Sequence, residues 1–404
     1  MLGRFLLFLV LLYGAGAASA QQLTALARID PGPSVARDGW MGGAVLELHL
    51  SQGVPFRVFT LDGPPRLVVD FREADWSGVT EADLLPDPGV FSALRFGRFQ
   101  PGWSRLVADL SGPFLPDNIG MPVDPQSGKA VLTIGLDPVD PEAFAAASGV
   151  PETALWPERK APQTPAPIQD GRLVVVIDPG HGGVDPGAER DGVAEKDLML
   201  TFARLLRDAL RRAGDAEVVL TREADEFISL ESRVAVAHRS GADLFISLHA
   251  DSLSQGGAQG AAIYTLSDEA SDKATELLAA RHNRADIIAG ADLTGSDDQV
   301  AGVLLDLARQ ETEPRSAALA RSFAVAMKEA GGPMNRHPLR EAGFSVLKSA
   351  DIPSVLIEIG FLSSDRDLGN LTDPDWQRRT ATAMARAVLD WRDADAARRD
   401  LVRQ

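Results

Sequence analysis

The hydrophobic pattern of the second half of the chain alternates between two kinds of segment. Short, continuous apolar runs rich in β-branched residues predict strands that are buried on both faces of a sheet. The strands predicted in this way span residues 173–177, 217–220, 244–249, 261–265 and 354–359. Stretches with helical spacing of apolar residues separate or follow them, at 196–213, 230–240, 269–283, 314–330 and 374–393. This alternation predicts an α/β domain over residues 171–393, with a largely parallel, doubly wound sheet.

Residues 22–137 have a different pattern. Short runs with partial alternation lie at 44–50, 56–61, 66–71, 90–99, 104–110 and 129–136, and turn-forming residues divide them. This spacing predicts a small all-β sandwich domain. Its segments RLVVDF (66–71) and SRLVADL (104–110) look alike, and chance explains this at least as well as internal duplication does. The domain has one histidine, His49, and no acid–histidine cluster, so we expect it to be non-catalytic.

The remaining segments connect or flank these two domains. Residues 138–170 are rich in proline, which predicts a semi-stiff, extended linker and two independent domains. Residues 394–404 are charged and predicted to form a frayed tail. The first 20 residues combine Arg4, an apolar core at 5–13 and Ala18-Ser19-Ala20, as a cleaved secretory signal does. A membrane anchor is the alternative, but the apolar core is short for a span of about 20 residues. We therefore expect export to the periplasm, with no stable membrane span after cleavage.

Net charge and composition limit the partners and the metal ligands that this chain can use. The net charge of −17 argues against a general nucleic-acid or anionic-membrane binder, since either would favour a basic face. The chain contains no cysteine, so it has neither disulfides nor thiolate ligands. Any metal ion must therefore be held by His, Asp or Glu.

Three such side chains are predicted to meet at one edge of the α/β sheet. His181 follows the first strand in Asp178-Pro179-Gly180-His181-Gly182-Gly183, His249 ends a later strand, and Glu195 begins a helix. The carboxyl ends of strands are where open α/β sheets collect their ligands. A His₂Glu set with a free fourth position is typical of catalytic zinc sites, although another transition metal would also accept these ligands.

Each residue has a simpler explanation when it is taken alone. A histidine at a strand end is more often a structural hydrogen-bonding residue, and Glu195 could serve only as a negative charge at a helix N-terminus. The glycines could cradle a phosphate, although His181 interrupts the usual phosphate-binding patterns. The conjunction of the three residues favours the metal site.

Glu358 is the predicted catalytic acid/base. It lies within the apolar strand 354–359, and a buried carboxylate without a partner is costly, so a metal-activated water is a suitable neighbour. Asp178 and Asp251 flank the ligands, where they could either hydrogen bond to an imidazole or cap a turn. The histidines outside this set are less favoured as substrate contacts: His238, His282 and His337.

Four motifs carry a resemblance to a known family. The phrases VIDPGHGG, EKD, SLHAD and PSVLIEIGFLS occur in this order and resemble those of the zinc-dependent N-acetylmuramoyl-L-alanine amidases of the amidase-3 family, over residues 173–386. The resemblance implies a mixed, mostly parallel sheet flanked by helices. It also implies that His181, Glu195 and His249 bind one Zn²⁺ and that Glu358 is catalytic. The implied reaction hydrolyses the amide between N-acetylmuramic acid and L-alanine in peptidoglycan.

The N-terminal domain resembles AMIN domains through its strand pattern and the phrase LDGPPRLVVDF (61–71). That resemblance implies binding of peptidoglycan and targeting to the division site, with a structural spacer as the alternative.

Residues 266–313, which we call the insertion, are long for a connection between a strand and a helix. Segments 283–293 and 303–308 resemble the insertion of division-associated amidases. This implies a helix that covers the zinc until a LytM-domain activator displaces it, and an acidic side chain could fill the open zinc position. The acidic candidates are Glu276, Asp298, Asp306 and Glu311. A fixed helical decoration without a gating role is the alternative.

Two other functions compete with the amidase. An exported zinc peptidase acting on stem peptides is disfavoured because the H-E-x-x-H helix of common metallopeptidases is absent. A catalytically inactive wall-binding adaptor is disfavoured because all four proposed site residues are present.

Overall fold

The computed structural model describes residues 27–39, 42–72, 74–100, 102–124, 126–151, 172–214, 216–252, 258–288, 302–349 and 351–402. The predicted signal sequence and the greater part of the predicted linker lie outside these ranges. In the part of the chain that is described, no helix combines the length and the apolar character that crossing a bilayer requires.

The N-terminal half is a β sandwich, as the sequence predicts. Its strands are β1 (Ala27–Asp38), β2 (Ala44–Leu50), β3 (Phe56–Leu61), β4 (Arg66–Arg72), β5 (Ala74–Asp75), β6 (Phe91–Gln100), β7 (Trp103–Leu110), β8 (Phe114–Gly120) and β9 (Ala130–Pro138). They form one sheet of order β5-β1-β2-β9-β8 and a second of order β3-β4-β7-β6. Leu46 and Leu48 of the first sheet share one apolar core with Leu67 and Val69 of the second. Two short helices accompany the sheets, α1 (Glu81–Leu84) and α2 (Pro141–Ala147).

The start of the predicted linker belongs to this β domain. Phe144 of α2 is buried, and the backbone N–H of Gly149 donates to the carbonyl of Thr60 at 2.8 Å. Val150 packs against the apolar side chains Phe59, Leu61 and Val68. The chain therefore stays on the β domain at least as far as Val150.

The C-terminal half is the predicted α/β domain. Its strands are β10 (Leu173–Pro179), β11 (Glu189–Arg190), β12 (Val193–Ala194), β13 (Ala216–Leu220), β14 (Leu244–His249), β15 (Ala261–Leu266), β16 (Met334–Ala342) and β17 (Ser354–Glu358). Its helices are α3 (Glu195–Ala213), α4 (Leu230–Ser240), α5 (Lys273–His282), α6 (Ala285–Ile288), α7 (Gly302–Glu329), α8 (Asp365–Leu371) and α9 (Pro374–Val402). The main sheet has the order β13-β10-β14-β17-β15-β16, and β15–β17 is its antiparallel pair. The prediction of a mixed, mostly parallel sheet flanked by helices is confirmed.

Several elements differ from the predicted ones, among them β16, α7 and α9. Strand β16 is absent from the prediction because this edge strand is polar and largely exposed, which gives it no apolar run. Helix α7 begins at Gly302 and continues through Pro314, the residue at which the sequence predicts this helix to begin. Leu319, Phe323 and Met327 anchor its second half in the core. The predicted frayed tail is part of α9, and Asp395 there pairs with Arg315 at 3.0 Å.

A buried ion pair fixes the end of β10. Asp178 is 1% exposed and accepts a 2.7 Å hydrogen bond from the guanidinium of Arg233, which is 3% exposed on α4. The same carboxylate accepts from the hydroxyls of Thr221 and Ser247, at 2.6 and 2.8 Å. Arg233 also donates to the backbone carbonyl of His181 at 2.9 Å, so the pair orders the loop that follows β10.

We expect Asp178→Asn to lower the free energy of unfolding by about 3–5 kcal/mol, because it leaves the buried Arg233 without its counter-charge. Chemical denaturation followed by circular dichroism measures this effect. The exposed pair of Arg190 with Asp365 supplies the control, and Asp365→Asn should change stability little. Equal effects of the two substitutions would contradict the structural role of Asp178.

Candidate metal centre

Strand register brings the predicted site residues to one edge of the sheet. Pro179 of β10 pairs with Leu248 of β14, and His249 of β14 pairs with Glu358 of β17. His181 follows β10 by two residues and therefore lies at the same edge. A Cβ atom on Gly180 would lie 2.2 Å from Cε1 of His249, so this position needs glycine for the imidazole to approach the loop.

Glu195 reaches the same place from a hairpin. Strands β11 and β12 are joined by Asp191-Gly192, both at positive φ, the residue pair that favours tight hairpin turns. The backbone N–H of Glu195 then donates to the carbonyl of Ala188 at 2.8 Å, which sets the start of α3. The Glu195 carboxylate is 1% exposed and accepts from the backbone N–H groups of Ala188 and Ala250, at 2.9 and 2.8 Å.

His181, Glu195 and His249 form what we call the His–Glu cluster. Oε1 of Glu195 lies 3.2 Å from Nε2 of His181 and 3.1 Å from Nδ1 of His249. Two ligand atoms of a tetrahedral zinc site are about 3.3 Å apart, because each lies about 2.0–2.1 Å from the ion. Nε2 of His181 is also buried without a hydrogen-bond partner in the described structure. The cluster therefore fits a small divalent cation in both donor type and spacing.

The second nitrogen of His181 is held by Asp185, which the sequence analysis overlooked. Nδ1 of His181 lies 2.8 Å from Oδ2 of Asp185, and Oδ1 accepts from the backbone N–H of Gly187 at 3.2 Å. A carboxylate in this position fixes the tautomer and orientation of a metal-binding imidazole. The available signal was the spacing of four residues from His181 to Asp185 within a glycine-rich turn.

The two carboxylates named in the sequence analysis have other partners. The hydrogen bonds of Asp178 go to Thr221, Ser247 and Arg233 rather than to an imidazole. Oδ1 of Asp251 accepts from Arg281 at 2.5 Å, while Oδ2 lies 3.9 Å from Nε2 of His282.

Glu358 lies beside the cluster, fully buried at the end of β17. The backbone N–H of Asp251 donates to its Oε2 at 2.9 Å. Its Oε1 is buried, has no hydrogen-bond partner among the described residues and lies 3.3 Å from Nε2 of His282. One oxygen is therefore held in place while the other faces the site.

His282 is the residue that most changes the predicted site. It is the last residue of α5, within the insertion, and its side chain is 5% exposed. The centroid of its ring lies 4.2 Å from the centroid of the His249 ring and 5.9 Å from that of the His181 ring. Nitrogen atoms of His181, His249 and His282 all lie within 4.8 Å of one another, close enough to share a metal ion. His282 is not among the ligands predicted from the sequence, because its position on a helix carries no strand-end signal.

Two of the acidic candidates in the insertion are exposed away from the site, and the side chains of the other two lie outside the part of the chain that the structure describes. Glu276 is exposed and pairs with Lys273 at 2.9 Å, and Glu311 is exposed on α7. Asp298 lies outside the described residues, as does the side chain of Asp306. Within the described residues, the side chain that enters the site from the insertion is therefore an imidazole rather than a carboxylate.

The segment that carries His282 closes the site. Asn283 donates to the carbonyl of Gly343 at 2.8 Å and accepts from the N–H of Ser345 at 2.7 Å. Asp286 of α6 accepts from the N–H of Leu230 at 3.0 Å. The cavity left beside His181, His249 and His282 measures about 20 Å³, room for a water molecule but not for a peptide.

Burial and neighbouring charges set the protonation of these groups. Burial disfavours a charged His181, but the carboxylates of Asp185 and Glu195 outweigh it and hold the His181 pKa well above its usual range. Burial, followed by the charge of His282, lowers the pKa of His249 to about 3, which keeps this imidazole neutral as metal binding requires. Burial raises the pKa of Glu358 to about 7, although the contact with His282 acts to lower it. A carboxylate with that pKa suits general acid/base catalysis near neutral pH.

The other three histidines lie away from the cluster. His49 pairs with Glu47 at 2.8 Å on the β domain. His238, near the C-terminal end of α4, contacts Ser349 and Asp351. His337 is exposed on β16.

The fold and the cluster define an α/β protein with a buried set of candidate metal ligands at the carboxyl edge of its sheet. The family model described as N-acetylmuramoyl-L-alanine amidase matches residues 175–390, and the AMIN domain model matches residues 37–131. The chain therefore belongs to the N-acetylmuramoyl-L-alanine amidase family and carries an AMIN domain.

Relatives match over most of the chain. The chain is 32% identical to the N-acetylmuramoyl-L-alanine amidase AmiC of Neisseria meningitidis serogroup B, over 91% of this chain and 89% of that protein. It is 29% identical to AmiC of Escherichia coli O6:H1, over 94% of each. It is 39% identical to AmiA of Escherichia coli K12, over 55% of this chain and 76% of that protein.

We expect Asp185→Asn to weaken zinc binding by about 10–100-fold, since an imidazole without its carboxylate partner is a poorer and less well oriented ligand. Competition with a chromophoric chelator measures the affinity. Asp191→Asn, an exposed charge change in the nearby hairpin, is the matched control and should leave the affinity unchanged. Equal affinities for all three proteins would contradict the role assigned to Asp185.

Proposed function

We propose that this protein hydrolyses the amide bond between N-acetylmuramic acid and L-alanine in peptidoglycan. The observation that carries the proposal is the pairing of His249 with Glu358 on adjacent strands, next to His181 and Glu195. Membership of the amidase family supports the identity of the bond that we propose is cleaved. The proposal also includes export to the periplasm, where peptidoglycan lies, and a role in wall remodelling and daughter-cell separation.

His181, Glu195 and His249 would hold one Zn²⁺. When bound, zinc supplies Lewis acidity toward a water molecule and the amide carbonyl. Asp185 keeps Nε2 of His181 directed at the ion by holding Nδ1. Glu358 takes a proton from the attacking water at Oε1 and returns it to the leaving amine, while the N–H of Asp251 holds Oε2.

Digestion of purified peptidoglycan by the zinc-loaded chain tests the reaction. We expect mass spectrometry to identify released stem peptides with a free N-terminal L-alanine and glycan strands with intact lactyl groups. Products that retain the muramyl–alanine bond would indicate a peptidase instead. Absence of any product, with zinc bound, from both the unaltered chain and the uncovered variant His282→Ala would favour an inactive wall-binding adaptor.

We expect Glu358→Gln to lower kcat by about 10²–10⁴-fold, the usual contribution of a general acid/base. The substitution preserves shape and leaves His181, Glu195 and His249 in place, so zinc content should not change. His249→Ala is the contrasting variant and should lose both zinc and activity. Full activity of Glu358→Gln would contradict the role of this carboxylate.

We further propose that the insertion regulates the site by covering it. His282 would act as an additional ligand that fills the open position of the metal, and it contacts Glu358 at the same time. A substrate peptide would enter only after the segment 281–288 moves away from Gly343, Ser345 and Leu230. An activator with a LytM domain is the partner that we propose for this movement.

We expect His282→Ala to raise the rate of peptidoglycan hydrolysis without activator by at least about fivefold, the low end of typical coupling between sites. The physical reason is that the variant vacates the open metal position and frees Oε1 of Glu358. Dye release from labelled peptidoglycan measures the rate. Glu276→Ala, on the exposed side of the same helix, is the control and should behave as the unaltered chain. A lower rate for His282→Ala than for the control would contradict gating.

A further inference from the structure

The β domain contacts the loop that carries His181. Strand β6 is an edge strand of its sheet, and its Arg98 carbonyl accepts a hydrogen bond from the backbone N–H of Val184 at 3.2 Å. An edge strand offers unpaired backbone groups to any extended segment that reaches it. Here that segment is Gly182–Gly183–Val184, directly after the metal-ligand candidate.

Two glycines allow this approach. A Cβ on Gly97 of β6 would lie 2.6 Å from the carbonyl oxygen of Gly183, and a Cβ on Gly183 would lie 1.9 Å from the carbonyl oxygen of Arg98. Gly183 also has a φ of +59°, which side chains rarely adopt. Backbone therefore meets backbone, with no side chain between the two domains at this point.

Apolar side chains from both domains close over the contact. Phe99 and Val107 of the β domain form one buried cluster with Val184 and Phe227 of the α/β domain. The rings of Phe99 and Phe227 are stacked at 5.6 Å with an angle of 13°. The guanidinium of Arg105 lies 3.5 Å from the Phe99 ring centroid and is itself paired with Asp70, which helps to hold the ring in place.

The contacted loop is the one whose conformation sets the His181 ligand. His181 has a φ of +60°, an uncommon value for a residue with a side chain. Its loop closes on itself through Gly182 and Asp185, which exchange backbone hydrogen bonds at 2.8 and 3.1 Å. Asp185 in turn holds the imidazole. A contact at Val184 therefore acts on the backbone between the ligand and its carboxylate partner.

We propose that the β domain is a positioning element of the metal centre: β6 and Phe99 hold the Gly182–Val184 loop so that His181 and Asp185 keep the geometry needed to bind the metal. Residues 97–99 are positioning residues, since none of them touches the metal candidates. The placement of the β domain and the geometry of the metal site would thereby be linked through one loop. This inference rests on the proposed function for its zinc-affinity readout. Amide exchange at Val184 measures the contact between the domains without reference to zinc.

The test uses the full chain and a wedge in place of a deletion. Gly97→Ala places a methyl group against the Gly183 carbonyl without removing any core side chain. We expect amide exchange at Val184 to be about 10-fold faster or more, because the hydrogen bond to Arg98 is broken. We also expect zinc affinity, measured by chelator competition, to fall by about 10-fold, in the range found for supporting residues of metal sites.

Phe99→Ala is the second variant and removes the stacked ring from the β-domain side. Phe71→Ala is its matched control, a buried phenylalanine of the same domain that packs with Trp76 in the sandwich core instead. We expect Phe99→Ala to weaken zinc binding and Phe71→Ala to leave it unchanged. The double variant with Phe227→Ala should bind zinc no more weakly than Phe227→Ala alone, since the two rings act through one contact.

Three results would contradict three different claims: the domain contact, the positioning role and the proposed function. Fast exchange of Val184 in the unaltered chain, equal to that of Gly97→Ala, would show that the domains do not contact and would overturn the inference. Faster exchange with unchanged zinc affinity would overturn the positioning role alone. An unaltered chain that binds no zinc would overturn the proposed function together with this inference.

Discussion

Buried charge at the carboxyl edge of a parallel sheet is the constraint on which the rest of the structure depends. Glu195 and Glu358 are almost completely inaccessible, and an uncompensated carboxylate in such a place costs several kcal/mol. Backbone N–H groups of Ala188, Ala250 and Asp251 compensate part of this cost. Among the described residues, Nε2 of His181 and of His282 and Oε1 of Glu358 have no hydrogen-bond partner, and these atoms lie around one place. A small cation with its water is the species that such a set of atoms accommodates.

Several parts of the chain serve this one edge. The sheet aligns His249 with Glu358, the Asp191-Gly192 hairpin delivers Glu195, and the Asp178–Arg233 pair holds the loop after β10. From outside, the insertion brings His282 over the centre, and β6 of the AMIN domain contacts the His181 loop. The site is thus bounded by elements that are up to 260 residues apart in sequence, from Arg98 to Glu358.

The sequence was sufficient for five of the six strands of the main sheet and for the residues at their ends, because parallel strands place their carboxyl ends at one edge whatever the details of packing. His181, Glu195, His249 and Glu358 could therefore be selected together. Asp185 and Arg233 could not, since their partners are set by turn geometry and helix packing rather than by strand position. His282 depends on how the insertion folds back, which no local pattern encodes. The same holds for α7, which begins at Gly302 rather than at Pro314, where the sequence predicts its start.

Anomalous X-ray scattering at the zinc edge, from crystals of the full chain grown with zinc, tests the central claim most directly. The account predicts a single strong peak between Nε2 of His181, Nδ1 of His249 and the Glu195 carboxylate, next to Oε1 of Glu358. A zinc peak elsewhere, or none at this edge of the sheet while the protein is folded, would contradict it.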